Sequence, residues 1–249
     1  MDALKLIRRS GFMEKLLRLD KFISKFAGIS RNESRKFIKA GKVRVNGTVI
    51  KAVDHKVYQH DRVFLNDKKL ETYDSVYIAL YKPVGYVSSR STNEGRSVFE
   101  LIDAPYNKEL SIAGRLDKDA EGLLLLSNDG LFIHRVISPK YNLEKEYIVE
   151  LENEPDGDFI EKMNEPISCG DEILKAKKVT KLEGKKILII LTEGKFHEIK
   201  RMVKANGNTV TAIKRGRIGE FVLPEMFNPG DWKELNDFEI KKITGEFPR

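Results

Sequence analysis

Leu16, Leu19, Phe22, Ile23 and Phe26 recur at the three- and four-residue spacing of a helix, with Lys15, Arg18, Lys21 and Lys25 at other positions. Gly28 is placed to end that helix. Ser30 followed by Glu33 has the spacing of a capping box. It predicts a second short helix through Arg35, Phe37 and Ile38 to a left-handed stop at Gly41. Val43-Arg44-Val45, Asn46-Gly47 and Thr48-Val49-Ile50 then spell a hairpin, because Asn-Gly suits the positive φ angles of a type I′ turn. Arg62-Val63-Phe64-Leu65 with Asn66-Asp67 adds a strand and a turn, and residues 66–76 read as a polar linker.

Past the linker, the patterning predicts strands at 76–81, 111–114, 122–127, 144–152, 172–180, 186–192, 209–215 and 219–223. Helices are expected at 97–102, 130–137, 156–164, 196–206 and 236–243. Helices and strands do not alternate strictly. The expected class is therefore α+β, with a small domain over residues 1–75 and a larger one over 76–249 built on a mixed, mostly antiparallel sheet flanked by helices.

Charge separates the two parts. Residues 1–75 carry 18 Lys/Arg against 9 Asp/Glu, whereas the rest of the chain carries 27 against 29. A basic module on a near-neutral body points to a polyanion, and nucleic acid is favoured because no amphipathic membrane helix is evident. No apolar run approaches the roughly 20 residues that span a bilayer. Leu4, Leu6, Ile7, Phe12 and Met13 are interrupted by Arg8, Arg9 and Gly11, unlike the continuous core of a secretory signal. Cys169 is the single cysteine, which excludes an internal disulfide and a cysteine-rich metal site. A cytoplasmic protein is expected.

Candidate chemistry lies in Gly114-Arg115-Leu116-Asp117-Lys118-Asp119-Ala120-Glu121-Gly122, a charged loop between apolar strands. Leu123 to Leu126 is continuously apolar, as a strand buried on both faces would be. Asp119 stands two residues from Asp117 in a loop, so the two need not face one site. On a 196–206 helix, His197, Lys200, Arg201 and Lys204 would share one side while Ile199, Met202 and Val203 face inward. Asn128-Asp129-Gly130 reads as a turn and helix cap. His55, His60 and His134 have no evident partner.

Two resemblances sharpen this picture. Arg18-Leu19-Asp20-Lys21-Phe22, Ile29-Ser30-Arg31 and Gly41 to Gly47 resemble an S4 RNA-binding domain over roughly residues 16–65. That resemblance implies RNA contacts at Arg18, Ser30, Arg31, Arg35, Lys39, Lys42 and Arg44. Gly-Arg-Leu-Asp at 114–117, with Glu121 to Leu126 and Asn128-Asp129-Gly130, resembles the catalytic motif of the RsuA/RluA superfamily of pseudouridine synthases. Tyr81-Lys82-Pro83-Val84-Gly85, Lys145-Glu146-Tyr147 and Gly194 to Met202 resemble that family's other motifs, the last in its RsuA form. Ala120 departs from the family's Thr or Ser, which implies altered packing of the loop.

The resemblance implies isomerisation of a uridine in ribosomal RNA, with no cofactor and no metal. Asp117 would be the catalytic carboxylate, with Lys200 as its counter-charge and Tyr147 stacking on the uracil and serving as a base. Arg115, Leu116, His197, Ile199 and Arg201 would bind the substrate. The partner would be ribosomal RNA or a ribosome-assembly intermediate, with no membrane, and the chain would be a monomer. The motif forms are closest to the family's small-subunit members. Large-subunit RNA, or an assembly factor that binds without catalysis, are the alternatives. A hydrolase built on Asp117, Asp119 and Asp129 would need a metal or a second placed carboxylate.

Overall fold

The computed structural model describes residues 16–58, 61–70, 72 and 75–248. The apolar residues expected near the N-terminus (Leu4, Leu6, Ile7, Phe12 and Met13), Lys15 and His60 lie outside this range. The chain forms two compact units divided between residues 74 and 75.

In the first unit, helices Leu19–Ala27 and Arg31–Lys39 stack on the sheet formed by Val43–Val45, Thr48–Val49, Val63–Leu65 and Lys68–Lys69. The first helix starts later than its apolar spacing predicts. Leu17–Arg18 is instead a short strand paired with Lys56–Val57, and Leu16 is exposed. Leu19, Phe22, Ile23 and Ile38 fill the core. The capping box forms as expected. The Ser30 hydroxyl accepts from the Glu33 amide, and the Glu33 carboxylate takes the Ser30 amide at 2.9 Å. Asn46 and Gly47 take positive φ angles. Asn66 and Asp67 do the same, so the supposed linker begins as a second tight hairpin.

Asp20 organises the charged face of this unit. Its side chain is 0% exposed and accepts from Arg18 Nε at 3.2 Å, Arg31 Nη2 at 2.8 Å and Arg35 Nε at 3.1 Å. Three guanidiniums thus converge on one carboxylate, leaving a surplus of positive charge facing outward. Burial pushes the Asp20 carboxyl up, but the three arginines outweigh it and hold it at about 2.

The second unit is built on a sheet with the strand order Lys178–Lys181, Lys186–Leu191, Lys145–Leu151, Val210–Ile218, Glu121–Ser127, Tyr77–Lys82 and Trp232–Glu234. Ser111–Ala113 pairs with Glu121–Ser127, and Phe221–Val222 pairs with Val210–Ile218. Pairing in this sheet is antiparallel except between Glu121–Ser127 and Val210–Ile218, which run parallel for two residue pairs. Leu123 to Leu126 are fully buried. Helices Gly130–Ile137 and Asp237–Thr244 supply Phe132, Val136, Ile240 and Ile243 to the core on one face. The architecture is α+β. Among the described residues, no helix is long and apolar enough to cross a membrane.

Several elements depart from the sequence pattern. The expected strand 172–180 is broken into Glu172–Leu174, which forms a hairpin with Ile167–Cys169, and Lys178–Lys181. Residues 98–101 form a 3-10 turn rather than an α-helix. The strand expected to stop at 215 runs on to Ile218 through a β-bulge, with Tyr147 opposite Arg215 but Glu146 opposite Arg217. Gly216 is the extra residue. It flips the alternation of the strand, as bulges do.

Linkage fixes one expectation. The Asp20 pKa is depressed in the fold, so its stabilisation is present above pH 4 and is lost as pH falls toward 2. Asp20→Asn is expected to remove that acid dependence and cost about 1–2 kcal/mol at neutral pH, discounted because the arginines are half-exposed. Hydrogen exchange of helix Leu19–Ala27 in the two proteins measures the difference. Equal protection at pH 7 and pH 3 would contradict it.

Candidate active site

Residues 114–120 leave strand Ser111–Ala113 and return as strand Glu121–Ser127. Five of the seven carbonyls of this loop are bound by neighbouring elements. Arg215 Nη2 donates to Gly114 O at 2.9 Å and Nη1 to Arg115 O at 3.4 Å, while Nε holds Leu123 O at 2.8 Å. Ser88 Oγ donates to Leu116 O at 2.6 Å and accepts from the Leu116 amide. The Ala120 amide closes a turn on Asp117 O, and the Gly85 amide takes Lys118 O. Lys82 Nζ donates to Ala120 O at 2.6 Å, to Pro83 O at 3.0 Å and to Lys118 O at 3.4 Å.

Two of these braces are buried cations. Arg215 is 1% exposed and Lys82 is fully buried. Carbonyl dipoles take the place of carboxylates as their near partners. Burial pulls the Lys82 ammonium down to about 8. Gly122 explains how Arg215 comes so close. A Cβ at Gly122 would stand 2.3 Å from Arg215 O, so only glycine lets the two strands meet there. Arg215 follows Ile213 on the inward face of its strand, before the bulge, and its side chain runs under the loop beside the Tyr147 hydroxyl at 3.5 Å.

The loop presents Asp117 to an open cleft. Arg115, Leu116, Tyr147, His197, Ile199 and Lys200 also line it. Lys200 Nζ lies 3.2 Å from Asp117 Oδ2, and His197 Nε2 lies 3.6 Å from the same oxygen. Tyr147 is on the inward face of strand Lys145–Leu151, where alternate residues are buried, and it forms part of the cleft wall. Its neighbour Lys145 is buried and pulled down to about 8 by that burial. Ile199, Met202 and Val203 face inward from helix Glu198–Ala205, as their spacing predicts.

Two expectations need correction, and one open point is resolved. His197 is not on the helix but is its N-cap, in left-handed backbone with φ 48°. Arg201 does not stand beside Lys200 at Asp117. Its guanidinium turns to Glu172 at 2.6 Å and Cys169 O at 2.7 Å, tying the Ile167–Leu174 hairpin to the helix. Asp119 does face the site, because Lys200 Nζ donates to both of its oxygens, at 2.6 and 2.8 Å. One ammonium is therefore shared by two carboxylates. Burial lowers the Lys200 pKa and the two carboxylates outweigh it, so the amine stays charged. Burial likewise pushes the Asp119 carboxyl up, and Lys200 outweighs that.

Ala120 is buried at the cleft wall, and its carbonyl is the shortest of the Lys82 contacts. Asp129 caps helix Gly130–Ile137 and accepts from the Tyr77 hydroxyl at 3.0 Å. His134 packs edge-on against Tyr141. The sequence pattern does not place Ser88 or Arg215 in the site, names Lys82 only within a motif and gives Asp119 no role. Lys214-Arg215-Gly216-Arg217 reads locally as a charged, exposed strand end, and nothing in it marks Arg215 as the buried member.

Arg215→Met would leave three carbonyls without their donor. A loss of about 3 kcal/mol is expected, or on the order of 10 °C in the thermal midpoint, with faster hydrogen exchange in residues 114–120. Arg215→Lys keeps the charge but not the fork and should restore little. An unchanged midpoint in both variants would remove Arg215 from this role.

Residues 76–205 match the RNA pseudouridylate synthase family, and residues 17–70 match the S4 domain. An uncharacterized RNA pseudouridine synthase of Aquifex aeolicus is 39% identical over 91% of this chain and 96% of its own length. Ribosomal small subunit pseudouridine synthase A of Haemophilus influenzae is 34% identical over 92% of this chain and 100% of its own. A crystal structure of a pseudouridylate synthase superposes with a TM-score of 0.66 at 33% identity, covering 91% of this chain and 99% of that one. With its charged loop, shared lysine and cleft tyrosine on this fold, the chain belongs to the RNA pseudouridylate synthase family and carries an S4 domain ahead of the synthase domain.

Proposed function

We propose that this protein isomerises a uridine of small-subunit ribosomal RNA to pseudouridine, using Asp117. The carrying observation is the Asp117 carboxylate held 3.2 Å from the Lys200 ammonium in a cleft walled by Tyr147. The full-length similarity to small-subunit synthases supports the choice of RNA.

The reaction breaks the N1–C1′ bond of uridine, turns the base and joins C5 to C1′. The C5 proton leaves and N1 gains one, so there is no net redox change. The base must first be flipped out of its stack, at a cost of a few kcal/mol. Tyr147, at the cleft wall, would stack on the flipped ring, with Ile199 lining the same cleft. A stacked base gains roughly 1–3 kcal/mol, which offsets much of the flipping cost. Asp117 acts as an ionised carboxylate, attacking sugar or base or taking a proton. Lys200 supplies the compensating charge, and Asp119 fixes where that charge sits. Arg115, exposed at the rim, would hold the displaced strand.

The S4 unit would grip the RNA backbone through the outward edges of Arg18, Arg31 and Arg35, with Lys39, Lys42 and Arg44. Ser30 contributes through its helix cap, since its hydroxyl is engaged with Glu33. Arg44 also pairs with Asp67 at 2.7 Å, a bond that a phosphate would have to displace. The chain is read as a cytoplasmic monomer acting on ribosomal RNA or an assembling particle.

RNA carrying tritium at uracil C5 tests the chemistry. The unmutated chain should release label and Asp117→Asn should release none while still binding the RNA. Lys200→Met should slow release on the order of a hundredfold. Label release by Asp117→Asn at the normal rate would end the assignment. Binding tests the S4 face. Each lost phosphate contact should reduce the salt slope by about 0.7–0.9 log units per log unit of salt. Charge reversal at Arg31 and Lys39 that left this slope unchanged would contradict the proposed grip.

A further inference from the structure

Phe196 is 77% exposed and directly precedes His197, which lines the cleft. A lone exposed phenylalanine is ordinary, but this one is held in place. Its ring lies flat on the His197 imidazole, with centroids 3.8 Å apart and planes inclined by 19°. His197 in turn reaches Asp117 Oδ2 at 3.6 Å. Phe196, His197 and Asp117 therefore form a column running from solvent to the reacting carboxylate.

The turn that builds this column is constrained. Among the described non-glycine residues with left-handed backbone, His197 is the one that is neither Asn nor Asp. Such a conformation is strained for a residue with a Cβ and persists where the surroundings enforce it. Here the Glu198 carboxylate, itself buried, accepts the Lys195 amide at 2.9 Å, and Lys195 O accepts the Glu198 amide at 3.3 Å. Arg201 Nη1 reaches Phe196 O at 3.4 Å while binding Glu172. Lys195 Nζ holds Ile173 O at 3.4 Å. Both ends of the turn are thus fastened to neighbours, and the outer face of the phenyl ring is left open.

We propose that the outer face of Phe196 stacks on an unpaired nucleobase directly adjoining the target uridine in the same RNA strand. This rests on the proposed function, because it takes the uridine to be everted at Asp117. Eversion strips the neighbouring base of a stacking partner, and a flat ring fixed one imidazole away from the reacting carboxylate replaces it. A stacking contact tolerates any base. Phe196 would therefore select for an unpaired neighbour, not for its identity, and would favour a target in a loop or bulge over one inside a continuous duplex.

A double-mutant cycle tests this. The probe is a small-subunit ribosomal RNA fragment carrying the uridine located by pseudouridine mapping, with versions made abasic at its 5′ or 3′ neighbour. Binding is measured in the Asp117→Asn background. Phe196→Ala and Phe196→Leu should each weaken binding about tenfold, and Phe196→Tyr less than about twofold. One abasic version should weaken binding about as much, with no further loss when combined with Phe196→Ala. Unchanged affinity in Phe196→Ala would overturn the proposal, as would full affinity in Phe196→Leu, which keeps an apolar side chain without a ring. Multiplying losses at both abasic positions would overturn it as well. Label release by the unmutated chain on the intact fragment is measured first. Failure of the isomerase reading appears there, and failure of the stacking appears only in the cycle.

Discussion

The site depends on two buried cations whose near partners are carbonyl oxygens. Arg215 and Lys82 grip the backbone of residues 114–120 from below, one at each end of the loop. A charge out of water is costly unless its donors are used, and here the loop's own carbonyls use them. The arrangement is reciprocal. The loop has no sheet partner for those oxygens, and the cations accept no nearer carboxylate. The result is a loop of charged residues as fixed as the strands that flank it, which is what a carboxylate aimed at one bond requires.

That foundation explains the electrostatics above it. Asp117 is not left alone beside Lys200, since Asp119 binds the same ammonium more closely. The lysine is anchored by the outer carboxylate and offered to the inner one. Helix Glu198–Ala205 carries Lys200 at its first turn and locks itself to the sheet through Ile199, Met202 and Val203. Arg201, which a helical wheel puts near Lys200, instead ties down the Ile167–Leu174 hairpin. Lys82, Arg201 and Arg215 are each anchored away from Asp117, and Lys200 is the ammonium placed against it.

The S4 unit uses the opposite balance. Asp20 is a buried anion surrounded by three half-exposed arginines. It fixes their stems and leaves excess positive charge at the surface. In the synthase unit, buried positive charge positions a reactive anion. In the S4 unit, a buried anion positions a cationic face.

By itself, the sequence determined what depends on neighbours along the chain. The Ser30–Glu33 cap, the Asn46-Gly47 turn, the buried Leu123–Leu126 strand and the inward face of Ile199, Met202 and Val203 follow from spacing alone. The ordered motifs named the chemistry and pointed to Asp117, Tyr147 and Lys200, which share one cleft. What supports them comes from contacts between distant parts of the chain. Lys82 and Ala120 are 38 residues apart, and Arg215 and Gly114 are 101 apart. A buried cation reads as a surface residue in any local pattern, because periodicity records apolar side chains and is blind to carbonyls that a distant loop will supply. The bulge at Gly216 that re-phases the strand after Arg215, like the left-handed His197 that seats Phe196, is a backbone event fixed by tertiary packing, where no single segment carries the information.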